Sequence, residues 1–189
     1  MRKRLRPTPS PAELGQMYAQ PHQHRAWTDH RIRVNVTTAL AVAALTRPRP
    51  VVADLSCGDA AIAQRLQLGN GARITLGDFA PGYEYCGPIE ETIQLLPDGH
   101  ADLFICSETI EHLDDPDAVL KAIRPKTDRL ILSTPDGETD DANPEHVWGW
   151  DSEAVGQMLV QAGFTPAIHT RLDLRPAGFV YCYQIWVLT

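Results

Sequence analysis

The 189-residue sequence predicts an α/β fold. The expected form is a three-layer sandwich with a doubly wound, mostly parallel sheet and an antiparallel C-terminal hairpin. Three observations carry that expectation. From Val51 onward, short apolar runs alternate with helix-length segments. The runs are near-continuous, as strands covered on both faces are. After Phe164 the alternation stops, and two strand-like runs follow with no helix between them.

The elements follow in order. Ser10, Pro11 and Glu13 form a capping-box signature, so a helix starts there. Residues 21–33 are polar and aromatic, and VNVTTALAVAAL reads as a second helix stopped by TRPRP. VVADL is a strand, DAAIAQRLQLG a helix with a glycine stop, and ARITLGD a strand. Only FAPG separates Asp78 from YEYCG, a possible short strand, whereas a parallel crossover needs about a dozen residues. Either the usual helix is missing there or YEYCG is not a parallel strand. ADLFICS, DPDAVLKAIR and DRLILST read as strand, helix and strand, and residues 135–150 as a polar loop. DSEAVGQMLVQAGF is a helix capped by Asp151 or Ser152, and TPAIHTRLDL with GFVYCYQIWVLT is the hairpin. The chain divides into a basic tail with a helical lid over 1–46 and a core over 47–189, one domain in all.

Composition excludes several classes. The 43% hydrophobic content can bury a core, and no apolar run is long enough to span a membrane. Cys57, Cys86, Cys106 and Cys182 form no CxxC pair, which points to core thiols in a reducing, cytoplasmic setting. The net charge of -7 is uneven: residues 1–33 carry seven basic and two acidic side chains. The acidic remainder argues against broad binding of phosphate backbones. MRKRLR is either a solvated tail or a contact for an anionic partner.

VVADLSCGDAAIAQRL is a strand, a tight turn and a helix, the arrangement that places backbone N–H groups toward an anionic ligand group. Its turn is not the GxGxxG of dinucleotide binding. Asp54-Leu55-Ser56-Cys57-Gly58-Asp59-Ala60 resembles the D-x-G-x-G-x-G loop of class I S-adenosylmethionine-dependent methyltransferases. The order and spacing of elements over about residues 35–189 are similar as well. The resemblance implies that Asp54 holds the methionine ammonium and that the Ser56–Gly58 turn lets backbone approach the cofactor. It places Asp78 on the ribose hydroxyls, Ile89 and Glu90 along the adenine, and Ser107 in the same cofactor set. Gly58 alone keeps the glycine pattern, with Ser56 and Ala60 at the other two positions.

The stretch ICSETIEHLDD puts Glu108, Glu111 and His112 at i, i+3 and i+4 after an apolar run. On a helical turn all three share a face. Two carboxylates so close repel unless a cation joins them, and oxygen with imidazole suits Mg, Mn, Fe or Zn. His146, beyond the next strand, lies at the same sheet edge and can complete the set. The other reading is a helix cap and pocket lining. The pattern resembles ubiquinone-biosynthesis O-methyltransferases and small-RNA 3′-terminal 2′-O-methyltransferases, and in the latter four such residues hold a divalent metal. Both act on adjacent hydroxyls, so the resemblance implies a metal at Glu108, Glu111, His112 and His146 that lowers the pKa of the hydroxyl to be methylated; alternatively His112 or His146 takes that proton directly as a base.

The resulting expectation is S-adenosylmethionine-dependent O-methylation of a small hydroxylated molecule, with possible metal assistance. Two alternatives stand beside it: methylation of an RNA 3′ end with MRKRLR as the contact, and a non-catalytic binding protein. Tyr18, His22, His24, Trp27 and His30 form either a lid or helix packing. Trp148 and Trp150 either stack on substrate or anchor a loop, and Asp140 and Asp141 are expected to be solvated.

Overall fold

The computed structural model describes residues 1–22, 26–137, 141 and 143–189. Strand β1 (Arg2–Arg4) leads into α1 (Pro11–Met17), whose Ser10 cap and Glu13 make the reciprocal capping box. Helix α2 (Thr28–Ala44) starts six residues earlier than its apolar stretch suggests. Its polar first turns are held by tertiary contacts: Asp29 accepts from the Tyr183 hydroxyl at 3.4 Å, and Arg33 is buried. Such contacts outweigh propensity.

The core follows as β2 (Val51–Asp54), α3 (Ala61–Asn70), β3 (Arg73–Asp78), β4 (Tyr85–Cys86), α4 (Ile89–Thr92), β5 (Leu103–Ser107), α5 (Pro116–Ile123), β6 (Leu130–Pro135), β7 (Trp148–Trp150), α6 (Ser152–Gln161), β8 (Pro166–Asp173) and β9 (Cys182–Leu188). Seven strands form the main sheet in the order β4-β3-β2-β5-β6-β9-β8, with the β6–β9 and β9–β8 pairs antiparallel. Alternate residues of each strand face opposite layers. Phe104 and Cys106 pack with Val119, Leu120, Val155 and Leu159 from α5 and α6. Leu103 and Ile105 pack with Val34, Ala41, Ile62 and Leu66 from α2 and α3. Both faces are covered, which explains the unbroken apolar runs.

The missing crossover is real. β4 pairs in parallel with β3 through Gly77↔Tyr85 and Asp78↔Cys86, joined by bends alone. So short a link brings the chains very close: a Cβ on Gly77 would lie 2.7 Å from the Tyr85 carbonyl oxygen. Gly77→Ala is expected to cost about 1–3 kcal/mol by overpacking, read as a lower denaturant midpoint. An unchanged midpoint would show that β4 yields freely.

Two expectations need correction. MRKRLR is not a solvated tail: Arg2–Arg4 pair antiparallel with Trp148–Trp150. The 135–150 stretch is accordingly not all loop, because it contains that partner strand. Trp148 makes the pairing favourable, with the Arg2 guanidinium 4.3 Å over its ring. All four cysteines are free. No helix among the described residues is long and apolar enough to cross a membrane.

Candidate active site

The sheet order reverses between β2 and β5, and in such sheets ligands bind beyond the carboxyl ends at that point. A cleft of ≈ 350 Å³ opens there. Ser56, Gly58, Asp78, Ile89 and Glu90 line it on one side, and Glu108 and His112 on the other. Asp54 and Ser107 do not line the main cleft. They face a narrow crevice behind Ser56, together with Arg33.

The turn after β2 is tied to β3. Asp78 accepts the Gly58 N–H at 2.7 Å and the Ala80 N–H at 2.9 Å, while the Tyr83 hydroxyl donates to the Gly58 carbonyl at 2.6 Å. Gly58 has φ 53° and Ala60 φ 54°, so the turn needs a left-handed residue at both places. Alanine accepts that only with strain. Asp54 is 4% exposed, and burial pushes its carboxyl up to about 8. Its charge is met only by a 3.4 Å contact from the Ser56 N–H and by the field of Arg33. A buried acid of this kind gains most from a cationic ligand group. Each carboxylate oxygen can accept a second hydrogen bond, so Asp78 retains capacity for hydroxyls. These residues fit S-adenosylmethionine, which carries an ammonium and a ribose.

Beyond β5 the four expected metal ligands do not form one cluster. Glu108 is left-handed, at φ 54°, and the 3-10 turn begins only at Ile110. Glu108 is therefore off the face that Glu111 and His112 share. It accepts from the Ser133 hydroxyl at 2.9 Å and lies 3.9 Å from the Arg33 guanidinium. Glu111, His112 and His146 do converge, with one ligand atom from each within 4.8 Å of the others. The two imidazoles meet edge to face at 4.9 Å.

Neighbours set the orientation of this trio. Trp150 donates to Thr134 at 3.1 Å, and Thr134 donates to Glu111 Oε2 at 3.0 Å. Among the described residues Glu111 Oε1 is buried without a hydrogen-bond partner, 4.0 Å from His112 Nε2. His112 Nδ1 donates to the Glu145 carbonyl at 3.0 Å, so Nε2 carries the lone pair. Burial, and then Glu108, holds the Glu111 carboxyl well above the usual carboxylate range. Burial, and then His146, pushes His112 down to about 3. The donor set is thus one buried carboxyl group and two imidazoles, a combination that suits a divalent cation.

The N-terminal segment builds the cleft's outer wall. Thr8, Leu14, Tyr18 and His22 line it, and the Tyr18 hydroxyl sits 3.4 Å from His112 Nδ1. Trp27 and His30 instead pack on each other, and His30 also on Tyr183. His24 and Asp140 lie outside the described residues. Trp148 and Trp150 are anchors: the Trp148 indole donates to the Leu113 carbonyl at 2.9 Å, and Trp150 is buried. Asp141 is not solvated, because its side chain pairs with His146. Sequence reading missed Arg33, although it opens the buried α2 stripe of Arg33, Thr37 and Ala41 at four-residue spacing.

The methyltransferase domain model matches residues 53–125. No curated protein matches the chain. Among solved structures, the Burkholderia thailandensis 1,6-didemethyltoxoflavin-N1-methyltransferase with bound S-adenosylhomocysteine is similar, with a TM-score of 0.75 and 20% identity over 97% of this chain and 92% of that one. An Aquifex aeolicus S-adenosylmethionine-dependent methyltransferase has a TM-score of 0.62 and 16% identity over 95% and 98%. The cyclase SpnF has 0.74 and 13% over 97% of both chains, so this fold also hosts chemistry other than methyl transfer.

Proposed function

We propose that this chain, whose residues 53–125 match a methyltransferase domain and whose fold is shared with S-adenosylmethionine-dependent methyltransferases, is itself such an enzyme and methylates a hydroxyl of a small acceptor with adjacent hydroxyl groups, assisted by a divalent cation at Glu111, His112 and His146. One observation carries this reading: Glu111 Oε1 is buried and unpartnered beside two imidazoles. An orphaned buried carboxylate is costly, and a cation converts it into a ligand.

The cofactor supplies, when bound, a methyl group on a sulfonium. Asp54, in the crevice behind Ser56, would attract its ammonium across that turn, while the Ser56–Gly58 backbone would meet the chain beside it, Asp78 the ribose, and Ile89 with Glu90 the adenine. Ser107 holds the crevice wall through its bond to Ser133 at 2.8 Å. A cation held by Glu111, His112 and His146 would supply the Lewis acidity that lowers the pKa of an acceptor hydroxyl; a histidine Nε2 that is not ligating would instead be free to take the hydroxyl proton directly. Orientation of the acceptor oxygen is the other contribution, with Thr8, Leu14 and Tyr18 closing the cleft against water.

Charge favours a small acceptor over a nucleic-acid end. Among the described residues the cleft lining holds Asp78, Glu90, Glu91, Glu108 and Asp114 and no lysine or arginine. Arg2 pairs with Asp117, Arg4 with Asp114, and Arg6 with two backbone carbonyls. A phosphodiester would meet repulsion where it needs cations.

Calorimetry should show binding of S-adenosylmethionine and its demethylated product, and failure of both ends the reading. Methyl transfer to a catechol-type probe should vanish on dialysis against EDTA and return with a divalent cation. Turnover that survives dialysis removes the cation. Deleting residues 1–6 is expected to cost about 1–3 kcal/mol through lost ladder and Arg6 bonds, with no change in salt-dependent RNA retention. RNA retention lost with that deletion would favour the nucleic-acid acceptor.

A further inference from the structure

We propose that Asp141 and Asn143 form a built holder for the His146 imidazole: Asp141 fixes which ring nitrogen carries the proton, and Asn143 covers the other until a ligand displaces it. The inference rests on the reading of His146 as part of the acceptor site.

Neighbouring contacts settle the orientation of every group. Asp141 Oδ1 accepts the Asn143 backbone N–H at 2.8 Å, and Oδ2 faces His146 Nδ1. Asn143 Oδ1 accepts the Glu145 backbone N–H at 3.0 Å. The Asn143 amide is thereby turned with Nδ2 toward His146 Nε2, at 3.0 Å. An amide nitrogen only donates, so Nε2 must offer its lone pair. Nδ1 then carries the hydrogen, which it donates to Asp141. The contacts on the two sides of the ring agree on one tautomer.

The holder is also clamped from outside. Arg6 donates to the His146 carbonyl at 2.8 Å and to the Asp141 carbonyl at 2.6 Å, closing both ends of the segment. Inside it, His146 is 6% exposed. A carboxylate behind one ring nitrogen raises the basicity of the other, as it does for histidines that bind metals or take protons. The amide on Nε2 is a neutral donor on a short side chain. An acceptor hydroxyl donates to the same lone pair, and a cation accepts it, so either can replace the amide without moving the ring.

The prediction differs from that for a loop that merely packs. Nitrogen-edited NMR of the full chain, with no added ligand and with His146→Gln to assign the signal, should show a protonated Nδ1 and a bare Nε2. Asp141→Asn keeps an oxygen for the Asn143 N–H but turns an NH₂ toward Nδ1. With the Asn143 NH₂ still on Nε2, both ring nitrogens then face a donor and the single fixed tautomer should be lost, its Nδ1–H signal weakened and fast in exchange. The same variant should bind cobalt(II) about 10–100-fold more weakly. Asn143→Ala should keep the tautomer and bind cobalt(II) more tightly, since no cover remains to displace. A protonated Nε2 in the unsubstituted protein overturns the holder, and so does an unchanged tautomer signal in Asp141→Asn. Should that variant fail to fold, the unsubstituted spectrum and Asn143→Ala decide alone. If the single tautomer is lost in Asp141→Asn but cobalt(II) binds neither protein, the holder stands and the cation reading falls.

Discussion

Arg33→Met is expected to destabilise the protein by about 3–5 kcal/mol, the usual cost of stripping the partner from a buried charge. Arg33 is 1% exposed. Its guanidinium donates to the Ser107 hydroxyl, sits 3.3 Å from the Ser133 hydroxyl and lies 3.9 Å from Glu108. Methionine fills similar volume, so the loss is chiefly electrostatic. The pH dependence gives the signature. Burial raises the Glu108 carboxyl above its ordinary value, and Arg33 opposes that rise. Without Arg33 the folded-state value climbs further. A carboxyl raised in the folded state binds more protons there than in the unfolded state. Stability therefore falls as pH rises from the unfolded value near 4.5 through the folded value. The deficit of Arg33→Met should be larger at pH 8 than at pH 5 in denaturant titrations. A deficit independent of pH would mean that Glu108 is not its electrostatic partner.

Glu111→Gln is expected to separate stability from function. Methyl transfer should fall at least about 10²-fold, the lower end of what such a group contributes, and divalent cation binding should be lost with it. Stability measured without added metal should rise. Burial and Glu108 hold the Glu111 carboxyl well above the carboxylate range, so its ionisation opposes folding at neutral pH. Glutamine keeps the shape and the bond from Thr134 without that charge. By the same linkage sign, the gain should grow with pH above the unfolded value. The amide NH₂ that replaces Oε1 is still polar but neutral and faces the His112 Nε2 side, so the gain comes from the lost buried charge. A variant that is active and less stable would make Glu111 a structural residue. Functional sites often carry such a cost.

The fold was legible because strand period and burial are local signals. VVADL, LFICS and LILST each carry one layer's contacts on alternate residues, and structure and sequence agree there. The turn between β2 and α3 was legible as strand, turn and helix, while a cofactor role for it came only from the resemblance of DLSCGDA to a family loop. What the sequence hid was tertiary. Nothing local says that RKR pairs with WGW, since the two lie far apart in the chain. Nothing local says that Glu108 leaves the helical face, because its left-handed backbone is imposed by the strand end. Asp141 looked like one of several loop acids, and only the fold brings it against His146. Arg33 was the recoverable miss, since a cation on an apolar stripe is readable as buried.

The pairing of β1 with β7 has a temporal consequence. A ribosome delivers Arg2–Arg4 first and Trp148–Trp150 long afterwards, so the first strand made must wait for a partner among the later ones. Closing so large a loop is entropically costly until the sheet between has formed. The Arg6 clamp on the His146 segment follows from that same closure. The strands between can thus assemble well before the N-terminal segment docks as the outer wall of the cleft.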